Sequence, residues 1–362
     1  MEERKWGNQT LIREFILLGL GNIPEVQIFL FLLFLAIYIV TVAGNILIIA
    51  LVMANRRLHT PMYFFLWNLS CLETCYSSTI LPRMLASLLT GNRTISVSGC
   101  ITQLHFFGFL AATECYLLAA MSYDRYLAIC KPLQYAICMN GRNCLWLASG
   151  SWISGFLGST IMTFLVSKLT FCGPNEIDHF FCDFTPMIKL SCSDISLTNL
   201  VTLILSAMET LIPFLLTMTS YVCIMVTILR IPSMSGRQKA FSTCSSHLAM
   251  VTIFYGTVII VYVMPKNSTL RELNKVFSVF YTVLTPLANP LIYSLRNRAV
   301  KEALRKVCSK YLRSKRPLEK LSVNSLDQIL TRSPQKTIES CWLNQLIGWS
   351  MVITRHQMGF VK

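Results

Sequence analysis

Apolar residues dominate seven long stretches of this chain, near Val26–Val52, Met62–Leu89, Ile101–Ile129, Cys144–Leu165, Leu197–Ile228, Phe241–Val263 and Val276–Leu295. Each is long enough to cross a bilayer as a helix, which takes about 20 predominantly apolar residues. Shorter polar segments separate them. The pattern predicts an all-α membrane protein built as a seven-transmembrane helix bundle. Met1–Thr10 is polar and the first apolar run already has spanning length, so no cleavable signal is expected.

Helical spacing adds detail to the third stretch. Leu104, Phe107, Gly108, Ala111, Cys115, Leu118, Ser122 and Arg125 recur at intervals of three and four and so share one face. One helix thereby carries both a small, apolar wall and an arginine at its far end. Asp124 and Arg125 sit where that span meets a basic loop. An acid–base pair at a membrane edge is costly unless the two charges satisfy each other or meet a partner. An interfacial anchor is the bland reading of the Asp124-Arg125-Tyr126 triplet, since Arg and Tyr often mark this boundary.

Composition supports the membrane reading. The chain has 362 residues, 54% of them hydrophobic and only 14% charged, whereas a soluble domain carries roughly 25% charged residues. The net charge of +15 is placed unevenly. Arg56 and Arg57 lie in the first connection, Lys131 and Arg142 in the third, and Arg230, Arg237 and Lys239 in the fifth. A basic run from Arg296 to Arg316 follows the last span. The fourth connection instead carries Glu176, Asp178, Asp183 and Asp194. Basic loops stay in the cytoplasm, so the amino terminus is expected outside and the carboxyl terminus inside. The positive charge then serves topology and attraction to anionic lipid. It is spread over several short loops, which argues against a nucleic-acid partner.

The expected layout is an outside tail over residues 1–25, a seven-transmembrane domain over 26–296, a basic amphipathic helix over 297–316 and a disordered tail over 317–362. Sequons occur at Asn8, Asn92 and Asn267 on the outer side, with Asn8 the favoured acceptor because the others lie close to the membrane; Asn68 falls within a span. Of the 14 cysteines, only Cys100, Cys172, Cys182 and Cys192 are expected outside, and four cysteines allow three pairings. Cys71, Cys75, Cys115 and Cys223 read as small packing residues. Cys308 is a candidate for S-acylation. His179, Cys182 and Asp183 have a metal-ligand look, which a disulfide at Cys182 would remove, so no metal is expected. No nucleotide or hydrolase motif is present, and no cofactor or enzymatic activity is expected.

Five motifs occur in order: Gly44-Asn45 in the first span, LHTPMYFFL (Leu58–Leu66) opening the second, MSYDRYLAIC (Met121–Cys130) closing the third, KAFSTCSSHL (Lys239–Leu248) opening the sixth, and PLANPLIYSLRN (Pro286–Asn297) closing the seventh. From about Asn8 to Arg313 the chain closely resembles the olfactory receptors, a branch of the rhodopsin-like G-protein-coupled receptors. Three departures stand out. Glu73 replaces the family's usual Asp, PLANP replaces PMLNP, and the tail runs past Arg316 to Lys362.

The resemblance implies an odorant receptor at the plasma membrane of olfactory cilia. It would bind small volatile ligands and raise cyclic AMP through a stimulatory, olfactory-type G protein. G-protein coupling is implied for Asp124, Arg125, Tyr126, Lys131, Tyr221, Lys239, His247 and Tyr293. Asn45, Glu73, Glu114 and Asn289 would form the mid-bundle polar cluster, either a sodium or proton site or a hydrogen-bonded structural network. The similar loop of the family implies Cys100–Cys182 with Cys172–Cys192, Cys100–Cys192 being the main alternative.

The ligand wall would comprise Leu104, Phe107, Gly108, Ala111 and Ala112 with Thr202, Leu205 and Ser206. Glu209, Tyr255, Val258, Ile259, Tyr262, Val279 and Thr282 complete it. Helix–helix packing is the alternative role for each. Amine receptors of the wider family place an Asp where this chain has Phe107, so a neutral, mostly apolar ligand is expected; Glu209 leaves an amine entering by the fifth span as the other choice. A receptor for a non-odorant small molecule in another tissue is the nearest alternative. A transporter would show repeats or broken helices relating its halves, and no such repeat is visible.

Overall fold

The computed structural model describes residues 12–19, 24–172, 174–263, 275–296 and 300; within them the side chains of residues 24, 25, 239, 243, 246, 261–263, 291 and 293–296 are outside the description. The helices are α1 (Pro24–Ala54), α2 (Pro61–Thr90), α3 (Val97–Cys130), the short α4 (Pro132–Cys138), α5 (Gly141–Ser167), the short α6 (Phe184–Ile188), α7 (Ser196–Leu229) and α8 (Met234–Val263). Residues 275–279 then run helically into a π segment, Phe280–Leu284, which continues as α9 (Thr285–Arg296).

The helix starts are legible in the chain. Pro61 and Pro132 occupy first-turn positions, where a missing N–H costs nothing. Ser96 caps α3 by accepting from Gly99 N at 3.1 Å, and Asn140 caps α5 by accepting from Asn143 N at 2.9 Å. Pro82, Pro213 and Pro290 lie inside helices, tolerated in bundles because neighbouring groups re-satisfy the freed carbonyls.

The central helix is α3, packed against α2, α5, α7 and α8. Its closest approach is to α5. A side chain at Gly155 would meet the α3 backbone itself, Phe109 O at 2.8 Å and Thr113 N at 2.9 Å. Small residues at such crossings let two membrane helices gain van der Waals contact where no water-driven force helps them.

Lipid-readiness is less uniform than the apolar pattern predicts. Among the described residues four helices are long and apolar enough to cross a membrane, within α1, α3, α5 and α7. A fifth counts if the two halves of α8, bent by 52°, are one span. The physical reason is clearest in α2. Its middle carries Asn68, Ser70, Glu73, Ser77, Ser78 and Thr79, all buried, so this helix spends its polar residues inside the bundle and shows little to lipid. α1 does the reverse, exposing Ile28, Phe29 and Leu32.

The end of the bundle that holds the disulfides carries a small sheet that helical periodicity did not announce. Strands β1 (Glu14–Leu17), β2 (Thr94–Ser96) and β3 (Glu176–Ile177) lie in the order β2-β1-β3. β1 runs antiparallel to β2, with Phe15 opposite Ile95, and parallel to β3, with Leu17 opposite Ile177. The segment expected as a plain tail thus joins two loops. Phe15 is fully buried, edge-on to Phe171 at 5.3 Å, in a cluster with Cys100, Ile177, Cys182 and Met187.

Candidate functional site

At the disulfide end, Cys100 is joined to Cys182 and Cys172 to Cys192, with Cα separations of 5.5 and 5.9 Å. The first bond ties the long loop to the start of α3. Gln103 reinforces it: its Nε2 donates to Thr79 O at 3.1 Å, and its Oε1 accepts from Cys182 N at 3.0 Å. One buried side chain therefore clamps α2, α3 and the loop. Sequence reasoning passed over Gln103, although a glutamine three residues into a span beside a cysteine was a visible signal.

The clamped loop dips onto the third helix. Phe181 is fully buried and its ring lies 4.9 Å from that of Phe107, which also packs on Tyr76 at 5.7 Å and Tyr281 at 6.1 Å. Asp178 pairs with Lys275 at 2.6 Å, and His179 Nε2 lies 3.3 Å from Ser278 Oγ. These contacts fasten the loop to the segment leading into α9. The metal reading fails here: Cys182 is spent in a disulfide, His179 faces Ser278, and Asp183 accepts from Phe184 N at 2.8 Å as a cap.

Burial, with the Lys275 charge nearby, holds His179 at a pKa of about 3, below its ordinary 6.5. A depressed value means the unfolded loop binds the proton more readily, so this contribution is complete above pH 6.5 and is lost as pH falls toward 3. At pH 5 it should have cost the native loop about 2 kcal/mol. Thermal unfolding of the solubilised receptor between pH 6.5 and 5, before most carboxylates titrate, is expected to fall with pH. His179→Gln should lessen that slope without abolishing it, and an unchanged slope would remove His179 from the account.

The sequence-chosen wall residues divide into groups. Leu104 is buried beneath the loop cluster, and Phe107 and Ala111 face the main core. Ala112 is also buried. Gly108 turns to α5, where a side chain would meet Ser159 Oγ at 3.1 Å and Met162 Cε at 3.6 Å. On α7, Thr202 is buried and Leu205 and Glu209 are half-buried, while Ser206 is exposed. Tyr255 is buried, donates to Cys115 O at 3.4 Å and lies 5.1 Å from Phe214. Val258 packs in the same α3–α7–α8 cluster, whereas Ile259 is 42% exposed on the outer face. Val279 is half-buried, and Thr282 is buried with its hydroxyl donating to Ser278 O at 2.6 Å. The Tyr262 side chain lies outside the described residues. Gly108 and Glu209, both turned to α5, and the exposed Ser206 and Ile259 are therefore not gathered with the rest; a stripe read at three-to-four spacing is broad enough to include neighbours on a flanking face.

Deeper in the bundle, Asn45, Glu73, Glu114 and Asn289 are all buried. Asn45 Nδ2 donates to Thr41 O at 3.0 Å and to Pro286 O at 3.2 Å, bridging α1 to α9. Asn289 Nδ2 donates to Glu73 Oε1. The Glu73 and Glu114 carboxyls adjoin each other. Two facing carboxylates repel unless a proton or a cation lies between them.

At the opposite end, Arg125 donates from Nε to Asp124 Oδ2 at 2.9 Å and from Nη2 to the same oxygen. Tyr135 of α4 donates to Asp124 Oδ1 at 2.8 Å. Two donors thus hold the carboxylate, and the buried charge pair is satisfied within the chain. The Tyr221 hydroxyl lies 2.6 Å from His247 Nδ1, bridging α7 to α8. Lys131 Nζ sits 5.9 Å above the half-buried Tyr126 ring. The Lys239 and Tyr293 side chains lie outside the described residues. Beside this cluster Leu133 is 94% exposed and Ile137 73% exposed. Tyr135, Leu133 and Ile137 were not singled out from the sequence; the Lys131-Pro132 start of a short helix was the signal.

Asn8, Asn267 and Cys308 lie outside the described residues. Asn92 is exposed, and Asn68 is buried with its Oδ1 accepting from Trp152 Nε1 at 3.1 Å.

This bundle has the fold of the rhodopsin-like receptors: squid rhodopsin superposes with a TM-score of 0.63 over 81% of this chain and 88% of its own, at 17% identity. A profile described as "Olfactory receptor" matches residues 34–311. Olfactory receptor 5AP2 of Mus musculus is 49% identical over 305 residues, 84% of this chain and 96% of that protein. Olfactory receptor 11L1 of Homo sapiens is 52% identical over 300 residues, 83% and 93% of the two. The chain belongs to the olfactory receptor family, and so is a seven-transmembrane, multi-pass membrane protein.

Proposed function

We propose that this receptor binds small, neutral, mostly apolar volatile molecules at the disulfide end of the bundle. It then activates a stimulatory, olfactory-type G protein at the Arg125 end, raising cyclic AMP. The disulfide end faces outward and the Arg125 end the cytoplasm, with the receptor at the plasma membrane of olfactory cilia, in contact with lipid and with no nucleic-acid partner. It acts as a receptor and not as an enzyme. Residues 1–25, 26–296, 297–316 and 317–362 remain the proposed tail, receptor domain, basic helix and atypical tail, and Asn8 the proposed glycan acceptor.

The observation that carries this reading is that α3 bears an aromatic wall at Phe107, with no acid above Glu114 two turns on, and the Asp124–Arg125 pair 17 and 18 residues beyond Phe107. A ligand seated against Phe107 alters the packing of a helix whose other end is held by Tyr135 and adjoins the Tyr221–His247 bridge. Any ligand that favours one arrangement of that helix shifts the population of the coupling form. The exposed Leu133 and Ile137 supply an apolar foothold for the G protein beside the switch, with Tyr126 and Lys131 next to them; Lys239 and Tyr293 are proposed to take part in the coupling. For a ligand of about 10 heavy atoms at roughly 0.5–0.8 kcal/mol each, binding reaches about −5 to −8 kcal/mol. Dissociation constants then run from roughly hundreds of micromolar to micromolar.

The absence of an acid at Phe107 means an ammonium would lose its hydration there without a partner, at a cost of several kcal/mol. Phe107→Ala and Tyr262→Ala are expected to lower the response to a neutral agonist about tenfold or more, with Glu209→Gln near wild type. Dose–response curves at matched surface expression decide it. If Glu209→Gln alone destroyed the response while the other two were silent, a cationic ligand held by Glu209 would be the better account.

A further inference from the structure

Glu209 is the carboxylate closest in kind to what an amine ligand would seek, and its position in the bundle has a specific cause. Gly158 is buried on α5. The three heavy atoms nearest to a Cβ built on Gly158 all belong to the Glu209 carboxylate: Oε1 in direct overlap, Cδ at 2.7 Å and Oε2 at 3.5 Å. The carboxylate therefore rests in the notch where a side chain would be.

The helix that forms the notch cannot back away. One turn earlier, Gly155 lies against the α3 backbone at Phe109 and Thr113, and Ser159 donates to His105 O at 2.7 Å from the next position along. With α5 pinned to α3 on both sides of Gly158, a new side chain there must be accommodated by Glu209. Two directions are open to it. Lipid is the costlier, because an ionisable group in the hydrocarbon needs a partner or water. The other runs inward between α7 and α3, where Cys115 packs against residues of α7. That path leads toward the seam where Tyr255 bonds the Cys115 carbonyl.

We infer that Gly158 is a positioning residue: by leaving a notch on α5 it seats the Glu209 carboxylate away from the α3–α8 seam and keeps the proposed ligand wall neutral. This rests on the pocket reading above for its consequence, but the seating itself does not. Neutral-ligand specificity would then depend on a residue that touches no ligand.

The test uses the full-length receptor as wild type, Gly158→Ala, Glu209→Ala and the double variant Gly158→Ala/Glu209→Ala. Two readouts are taken: surface level with thermal unfolding in detergent, and the cyclic AMP response to straight-chain aliphatic alcohols and esters. Gly158→Ala is expected to lower surface level or potency about tenfold, within the coupling range of contacting residues. The double variant should return to the level of Glu209→Ala alone, because removing the carboxylate removes what the new methyl displaces. A merely structural role of Gly158 against α3 predicts no such rescue. A double variant as impaired as Gly158→Ala, or a Gly158→Ala protein indistinguishable from wild type, overturns the inference. If wild type ignores the alcohols and esters, the surface and unfolding measurements still decide the seating, and only the ligand reading fails.

Discussion

Replacing Arg125 by alanine is expected to abolish the ligand-driven rise in cyclic AMP while the receptor still reaches the cell surface. Arg125 is 8% exposed and its guanidinium is committed to Asp124. In this structure that pairing holds it, and in the coupling form it is the cation proposed to meet the G protein. Removing one partner of a buried pair typically costs about 3–5 kcal/mol because the other charge is stranded. Here the Tyr135 hydroxyl, 2.8 Å from Asp124 Oδ1, continues to satisfy the carboxylate, so folding should survive. Cell-surface labelling beside the cyclic AMP assay separates the two effects. A normal response from a well-expressed Arg125→Ala receptor would remove Arg125 from the mechanism.

Loss of the Cys100–Cys182 bond should have the other large effect. It spans 82 residues of sequence, and removing a native disulfide typically costs about 2–5 kcal/mol. More is at stake than chain entropy. Gln103 holds the loop through the Cys182 amide, Phe181 rests on Phe107, and the β1–β3 pairing lies in the same cluster. Cys182→Ser is therefore expected to lose most surface expression, whereas Cys192→Ser, which opens a bridge spanning 20 residues in the loop, should lose less. Non-reducing peptide mapping checks the pairing directly, and a free Cys182 thiol in the mature receptor would contradict it.

What the sequence revealed and what it hid follow one physical division. Regular periodicity was legible: the α3 stripe from Leu104 to Arg125 does run along one helix, and the helix starts at Pro61, Ser96 and Asn140 carry the signals expected of them. Asn45 and Asn289 were expected inside from their motifs, Glu73 and Glu114 from the family resemblance alone, and all four side chains are buried. Contacts set by the meeting of distant segments were not legible. Three or four residues in extended pairing, as in β1 and β3, leave no periodic trace. The turning of Gly108 toward Ser159 depends on how α3 and α5 cross, and spacing alone cannot distinguish adjoining faces of one helix. The bonding of Tyr135 to Asp124 likewise arises only once α4 folds back beneath α3. The polarity of α2 beyond Glu73 was visible as composition, but it took the bundle to show that Ser70, Ser77 and Ser78 also face inward.

The central claim is that a neutral apolar ligand, read by the aromatic wall that α3 presents above Glu114, is converted into G-protein activation through the other end of the same helix. The most direct measurement exposes cells carrying the full-length receptor and a cyclic AMP reporter to paired volatiles of matched size, each a neutral alcohol or ester beside its amine counterpart. The account predicts responses to neutral members at micromolar to hundreds of micromolar concentration, with the amines weaker by about tenfold or more, as the unpaired ammonium requires. Responses confined to the amines, and lost in Glu209→Gln, would contradict it.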